Sequence, residues 1–164
     1  MIAIIPFVLF IARRESPPEK IKVESHRQQV IKQFRLESRD KIEWELTSPE
    51  AKFKGENTIS LKNPLLLVKT ASRTVTIKAP YALFYRKQKR VKLKQVFLET
   101  DNLTAQSPCG IYDVNSGTFT TDCGCKISLR KVNTITGKIC ILNLNERKIT
   151  VSNGVKSIFR EVKK

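Results

Sequence analysis

Three short copies of one sequence pattern constrain the fold of this chain more than any other feature. The segments "ISLKNP" (59–64), "VKLKQV" (91–96) and "ISLRKV" (127–132) each contain an apolar residue, a polar residue, Leu, a cation, a polar residue and then Pro or Val. Their first residues lie 32 and 36 positions apart, and such a period is typical of stacked structural repeats.

The same segments predict the shape of each repeat. On a strand, Val91 and Leu93 would point to one face and Lys94 to the other. The next apolar residue, Val96, comes three positions after Leu93, so the alternation changes phase. Because a phase change within a strand requires a bulge or a bend, we expect a stack of V-shaped antiparallel strands whose apolar sides face inward.

The rest of the chain from residue 30 onward supports an all-β fold. Short β-branched runs are separated by turn signals such as Asn63-Pro64, Ala79-Pro80, Asp101-Asn102 and Asn153-Gly154, which is typical of a sandwich, a barrel or a solenoid. We place the β domain at residues 30–160.

The predicted stack has an apolar inner face that no helix or second sheet in the sequence would cover. Uncovered apolar surface usually marks a binding site, so we expect a groove for a long apolar guest such as acyl chains. The predicted lining residues are Val75, Ile77, Ala79, Leu93, Phe97, Phe119, Ile127 and Leu142.

The four cysteines fall between Cys109 and Cys140, with Cys123 and Cys125 between them. Counting by twos along each predicted strand sends all four sulfurs inward. They could form one or two disulfides in an oxidising compartment. A Cys109–Cys140 bridge across neighbouring repeats is one hypothesis. Zinc is the alternative, but structural zinc usually takes its ligands from C-x2–4-C pairs, so no metal is predicted.

The first residues, "MIAIIPFVLFIA", are almost wholly apolar and are followed by "RRESPPEK". We predict a membrane anchor helix at residues 1–14 and a solvated spacer at residues 15–29. The anchor is short, because a bilayer span needs roughly 20 residues, so its true start could lie upstream. A truncated or unusual signal peptide is the alternative.

Charge and motifs limit the function classes. Thirty-one Lys and Arg against fifteen Asp and Glu give a net charge of +16, which suits an anionic partner such as nucleic acid, a membrane surface or a phosphorylated lipid.

We interpret "YRKQKRVKLK" (85–94) as a solvated turn and the outward face of a strand, able to meet lipid phosphates. Nucleic-acid binding is not predicted, because the exposed aromatics that stack bases are missing. No catalytic motif is present, so neither an enzyme nor a cofactor is predicted.

Four longer segments carry a family resemblance: "WELTSPEAKF" (44–53), "VTIKAPYALFYRKQKRVKLKQVFLET" (75–100), "GIYDVNSGTFTTDCGCKISL" (110–129) and "GKICILNLNERKITVSNGVKSIF" (137–159). Over about residues 30–160 the chain resembles the LptC family of lipopolysaccharide-transport proteins, and more broadly the OstA-like repeat proteins that include LptA.

The resemblance implies an open, twisted β-jellyroll and a single-pass inner-membrane protein whose domain lies in the periplasm. Such a protein takes lipopolysaccharide from the permease subunits of an ABC transporter and passes it to an LptA-like protein. Strand addition at the two free edges of the stack would join the partners. The predicted edge residues are Val30, Phe34 and Leu36 at the first strand, and Ile149, Val151, Val155 and Phe159 at the last. The short anchor and the four cysteines depart from the family pattern. The alternatives are a soluble LptA-like bridge and a basic nucleic-acid-binding β domain.

Overall fold

The computed structural model describes residues 29–40, 42–70 and 73–159, and these residues form one antiparallel sheet of fourteen strands. The strands are β1 (Val30–Ser38), β2 (Glu43–Lys54), β3 (Thr58–Lys62), β4 (Leu65–Lys69), β5 (Thr74–Lys78), β6 (Tyr81–Tyr85), β7 (Arg90–Glu99), β8 (Leu103–Asp113), β9 (Thr118–Thr121), β10 (Cys125–Leu129), β11 (Asn133–Gly137), β12 (Ile139–Asn143), β13 (Lys148–Ser152) and β14 (Lys156–Ile158). The all-β prediction is confirmed.

The strands are arranged as stacked, bent units, each called a rung. β1, β2, β7 and β8 each form a whole rung, whereas β3–β4, β5–β6, β9–β10, β11–β12 and β13–β14 join end to end into the others. One arm of every rung lies in a first layer and the other arm in a second layer. The first layer contains 34–38, 43–47, β4, β5, 97–99, 103–106, β10, β11 and β14; the second contains 30–32, 50–54, β3, β6, 90–94, 109–113, β9, β12 and β13.

The bend between the two arms, called the elbow, uses residues that tolerate a break in the ladder. Asn63 (φ 49°) and Gln95 (φ 54°) have left-handed backbone at the bends predicted from "ISLKNP" and "VKLKQV". Pro49, Pro64, Pro80 and Pro108 also lie at elbows, where a residue without an N–H removes no ladder hydrogen bond. The third copy, "ISLRKV", is different: Leu129 pairs with Asn133, so this phase change is the hairpin turn between β10 and β11 rather than an elbow.

The elbows also reveal a longer internal repeat. "KQFRLES" (32–38) and "KQVFLET" (94–100) each place a Gln with positive φ at an elbow, and the strand that follows each has a Ser-Pro pair at its own elbow, Ser48-Pro49 and Ser107-Pro108. The β1–β2 pair is therefore built like the β7–β8 pair.

The apolar faces of the two layers pack against each other. Trp44 of the first layer and Phe84 of the second lie with their ring centroids 6.4 Å apart. Leu46, Leu61 and Leu98 are completely buried between the layers. Burial of this apolar surface stabilises the stack by about 25 cal/mol per Å².

The predicted anchor at residues 1–14 and nearly all of the spacer lie outside the described residues. Within the described ranges, no helix is long and apolar enough to cross a bilayer.

Candidate functional site

Seven of the eight residues predicted to line a groove lie in the interlayer interior. Val75, Ile77, Ala79, Leu93, Phe119, Ile127 and Leu142 all point between the layers and are almost fully buried. The expectation that this face is uncovered is wrong for this conformation, because the opposite layer covers it. A guest could reach these side chains only if the layers moved apart.

Phe97 lies outside that interior. The bend at Gln95 shifts the alternation by one residue, so Val96 and Leu98 point inward and Phe97 points outward. It contributes to a shallow cavity of about 670 Å³ at the elbows of β7, β8 and β9–β10, together with Pro108 and Cys123.

An opening between the two layers lies at the tips of the rungs. A cavity of about 530 Å³, called the mouth cavity, is lined by Ser38, Asp40, Ile42, Trp44, Lys89, Val114 and Asn115. The residues from Ser38 to Trp44 belong to β1, β2 and the turn between them. Lys89, Val114 and Asn115 lie in turns at the tips of the second layer. Trp44 and Val114 are also members of the core, so the floor of the cavity is continuous with the apolar interior.

The interior contains a polar atom that lacks a partner. Tyr112 of β8 is fully buried, and its hydroxyl has no hydrogen-bond partner among the described residues. Burial raises the pKa of the Tyr112 phenol, and the neighbouring Asp113 carboxylate raises it further. The neutral hydroxyl can therefore donate a hydrogen bond to a guest oxygen, and a buried donor without a partner is costly.

The two ends of the stack have free edges where they were predicted. In the described chain β1 pairs only with β2, β13 only with β12 and β14 only with β11. Val30 is exposed on β1, whereas Phe34 and Leu36 are half-buried against the core. At the other end Ile149, Val155 and Phe159 are exposed and Val151 is half-buried. Phe159 exposes 69% of its surface.

The cysteines form two disulfides, Cys109–Cys123 and Cys125–Cys140, with Cα separations of 5.9 and 6.3 Å. The hypothesised Cys109–Cys140 pairing is therefore wrong. Each bridge joins the elbows of neighbouring rungs, so β8, β9–β10 and β11–β12 are linked in series. All four sulfurs are used, which leaves no thiolate for a zinc site.

The sulfurs also do not all point inward. Cys125 and Cys140 are buried, but Cys123 is exposed and Cys109 is half-buried. The reason is the elbow between β9 and β10, where Gly124 has a φ of +93° and interrupts the alternation that was counted through it. The "CGC" segment thus sends one sulfur to the surface and the other into the core.

The stretch "YRKQKRVKLK" forms the turn between β6 and β7 and the outward face of β7, as interpreted from sequence. Arg90, Lys92 and Lys94 are exposed while Val91 and Leu93 are buried. β7 is an interior strand, paired with β5, β6 and β8.

Sequence reasoning missed the mouth cavity and Tyr112. Ile42 and Trp44 line the cavity together with Val114, which comes 70 residues after Trp44 in the chain. The internal repeat is the one sequence feature that relates the rungs to which they belong.

Comparison with known protein families identifies a match over nearly the whole chain. The family model described as "Lipopolysaccharide-assembly, LptC-related" matches residues 2–160. No individual curated protein matches the chain.

Proposed function

Because the chain belongs to the LptC-related family of lipopolysaccharide-assembly proteins, which serves lipopolysaccharide transport, we propose that it carries the lipid's acyl chains between its two layers. The acyl chains would enter at the mouth cavity and displace the Trp44–Phe84 contact as the layers separate. The observation that carries the proposal is that cavity, whose apolar floor is continuous with the interior.

The surroundings of the cavity suit the ligand. Lys89 lies at the rim and could meet a phosphate of the lipid headgroup. The unpartnered hydroxyl of Tyr112 could bond an ester or hydroxyl oxygen of an acyl chain. Burial of the acyl methylenes would supply most of the binding free energy, at about 0.8 kcal/mol for each CH₂.

The proposal extends to the rest of the transport path, and the family and the free edges support it. Residues 1–14 would anchor the chain in the inner membrane, and the domain would lie in the periplasm, where its two disulfides could form. The edge of β1 would pair with the periplasmic part of the ABC transporter permease, and β13 and β14 would pair with an LptA-like protein. No catalytic step and no cofactor are involved.

Trp44 provides a direct test, because it is the single tryptophan of the chain. Titration of the full chain with lipopolysaccharide should change the intensity and the wavelength of Trp44 emission in a saturable way. A photoreactive residue at Val114 should cross-link to lipopolysaccharide in cells, whereas one at the outward-facing Thr74 should not. Unchanged emission together with equal cross-linking from both positions would contradict the proposal.

Tyr112→Phe separates binding from folding. Removing a buried hydroxyl without a partner should leave the free energy of unfolding unchanged or raise it by up to about 1 kcal/mol, measured by urea unfolding. If the hydroxyl bonds the lipid, the same variant should bind lipopolysaccharide about five-fold more weakly, as expected for a hydrogen bond worth about 1 kcal/mol. A higher free energy of unfolding with unchanged lipid affinity would show that the Tyr112 hydroxyl does not bond the lipid.

A further inference from the structure

The outward faces of the two layers differ in charge. The first layer presents both signs: Arg35, Lys69, Lys78, Lys126 and Lys156 against Glu37, Glu43, Glu45 and Glu99. The second layer is strongly basic: Lys32, Lys52, Lys54, Lys62, Arg90, Lys92, Lys94 and Lys148 against Glu50 and Asp113. Much of the positive charge on the described strands therefore lies on one side of the molecule.

The two carboxylates of the second layer are already engaged. Glu50 lies 3.1 Å from the Lys32 ammonium, and this hydrogen bond lowers the pKa of Glu50, with further help from Lys62 and Lys52. Asp113 lies 3.2 Å from Arg90. The remaining lysines of this layer give it a positive field with few local counter-charges.

Apolar and tyrosine side chains lie among these cations. In the sheet register Leu83 lies opposite Lys92, and Lys92 lies opposite Ile111. These residues form a row across the strands on the outward face. The row continues through Thr120, which lies opposite Ile111, to the exposed Ile141. Tyr81 occupies the row beside them, with the Lys94 ammonium 5.6 Å from its ring centroid. Ile111 and Ile141 expose 42% and 38% of their surfaces.

We propose that the outward face of the second layer, called the basic face, docks on an anionic lipid bilayer surface. Lysines around isolated apolar and tyrosine side chains match the bilayer boundary, where ammonium groups meet lipid phosphates and the apolar groups enter the headgroup region. A nucleic acid fits less well, because stacking needs several exposed aromatic rings. This proposal goes beyond lipid transport, since docking holds the whole domain in one orientation.

The position of the chain's beginning is consistent with this orientation. β1 starts in the second layer, and Val30 pairs with Lys52, so its side chain is on the basic face. The proposed anchor at residues 1–14 is followed by a fifteen-residue spacer, which can extend at most about 50 Å. An anchored domain would therefore stay close enough to the bilayer for weak contacts to count.

The test uses the full chain in vesicles of phosphatidylcholine alone or with about 30 mol% phosphatidylglycerol, so the two kinds of vesicle differ in surface charge. A photoreactive residue replaces Thr120 on the basic face or Thr74 on the first layer. Thr120 should cross-link to lipid at least several-fold more than Thr74 in anionic vesicles, and the excess should disappear in neutral vesicles and in about 0.5 M salt, where charges are screened within a few ångströms.

Two charge-matched triple variants complete the design. Lys62→Gln with Lys92→Gln and Lys94→Gln should reduce Thr120 cross-linking about ten-fold or more. Lys69→Gln with Lys78→Gln and Lys126→Gln changes the net charge equally and should leave it unchanged. Equal losses in both triples, or equal labelling of both faces, would overturn the proposal. A single-stranded oligonucleotide that displaces the chain from anionic vesicles would also overturn the proposal, and it would assign the basic face to polyphosphate binding. No lipopolysaccharide is present, so this result is independent of the transport test.

Discussion

The elbows of β1–β2 and of β7–β8 share one design but differ in what surrounds them. Both have a Gln with positive φ, and both have a buried Ser followed by Pro. Only the β7–β8 pair is joined to the rungs that follow it by disulfides, the first of which starts at Cys109 of β8. The bend itself therefore does not require a disulfide.

The rungs that follow the two pairs also differ in burial. The strands after β2 in the first half alternate between buried and half-buried residues, as in β4 and β6. Near the end of the stack, β11 has only half-buried residues and β14 only exposed ones. Where little apolar surface is buried, cross-links can supply the missing stability. The comparison suggests that the disulfides hold the thinly packed end of the stack.

The largest expected effect comes from removing the disulfides. Cys125→Ala with Cys140→Ala should lower the free energy of unfolding by about 3 kcal/mol or more, because a loop of about fifteen residues is released and a buried contact is lost. Cys109→Ala with Cys123→Ala should cost about 3 kcal/mol or less, since that bridge lies at the surface. Urea unfolding measures both. Hydrogen exchange should rise in β11–β14 but not in β3–β6, and a uniform rise would contradict the comparison.

The next effect concerns equivalent positions that follow the two Ser-Pro pairs. Ala51 is buried on β2, and Gly110 is its counterpart on β8. A Cβ on Gly110 would overlap the buried Phe119 ring, so Gly110→Ala should lower the free energy of unfolding by about 1–3 kcal/mol through overpacking. The reverse change, Ala51→Gly, should cost about 1 kcal/mol. Thermal unfolding of both variants provides the measurement, and a stabilising Gly110→Ala would refute the packing argument.

A smaller effect is expected at the serines of the elbows. The Ser48 hydroxyl lies 2.7 Å from the carbonyl oxygens of both Glu50 and Lys62. The Ser107 hydroxyl lies 2.6 Å from the Cys109 carbonyl and 2.7 Å from the Gly124 carbonyl. Alanine at either position leaves a partly buried carbonyl without its donor and should lower the free energy of unfolding by about 1–2 kcal/mol. Because the disulfides hold the neighbours of Ser107, Ser48→Ala should increase local hydrogen exchange more than Ser107→Ala. The opposite order would show that the disulfides do not restrain the β8 elbow.

The smallest effect depends on pH at the turn after β8. Partial burial alone would raise the pKa of Asp113, but the Ser116 and Asn115 amides and the Arg90 guanidinium together lower it. The folded-state pKa is thus below the unfolded one, so this stabilisation is complete above about pH 4 and is lost as the pH falls through the folded value. Asp113→Asn should lower the free energy of unfolding by less than about 1 kcal/mol at pH 7. Urea unfolding at pH 3 should show a smaller difference in this free energy between the variant and the parent. Lys54→Gln at the equivalent position of β2 should show no such acid dependence.

Much of the fold could be predicted from the sequence because alternation is local. The bends at Asn63 and Gln95 and the inward direction of Leu93 and Ile127 follow from residues a few positions apart. Counting by twos failed at Cys123, since it was continued through an elbow, where one extra residue reverses the face. Phe97 was wrong for a different reason: it was placed on the face of Leu93, although the phase change before Val96 turns it outward.

The amino-acid sequence by itself determined that the chain forms a stack of bent strands with a basic outer surface, because strand periodicity and charge are properties of neighbouring residues. Only the tertiary structure decided that the second layer covers the apolar face, which sulfurs are paired, and that Trp44 and Val114 line one cavity. Those features depend on the register between rungs and on the angle between layers, and neither is fixed by any one strand.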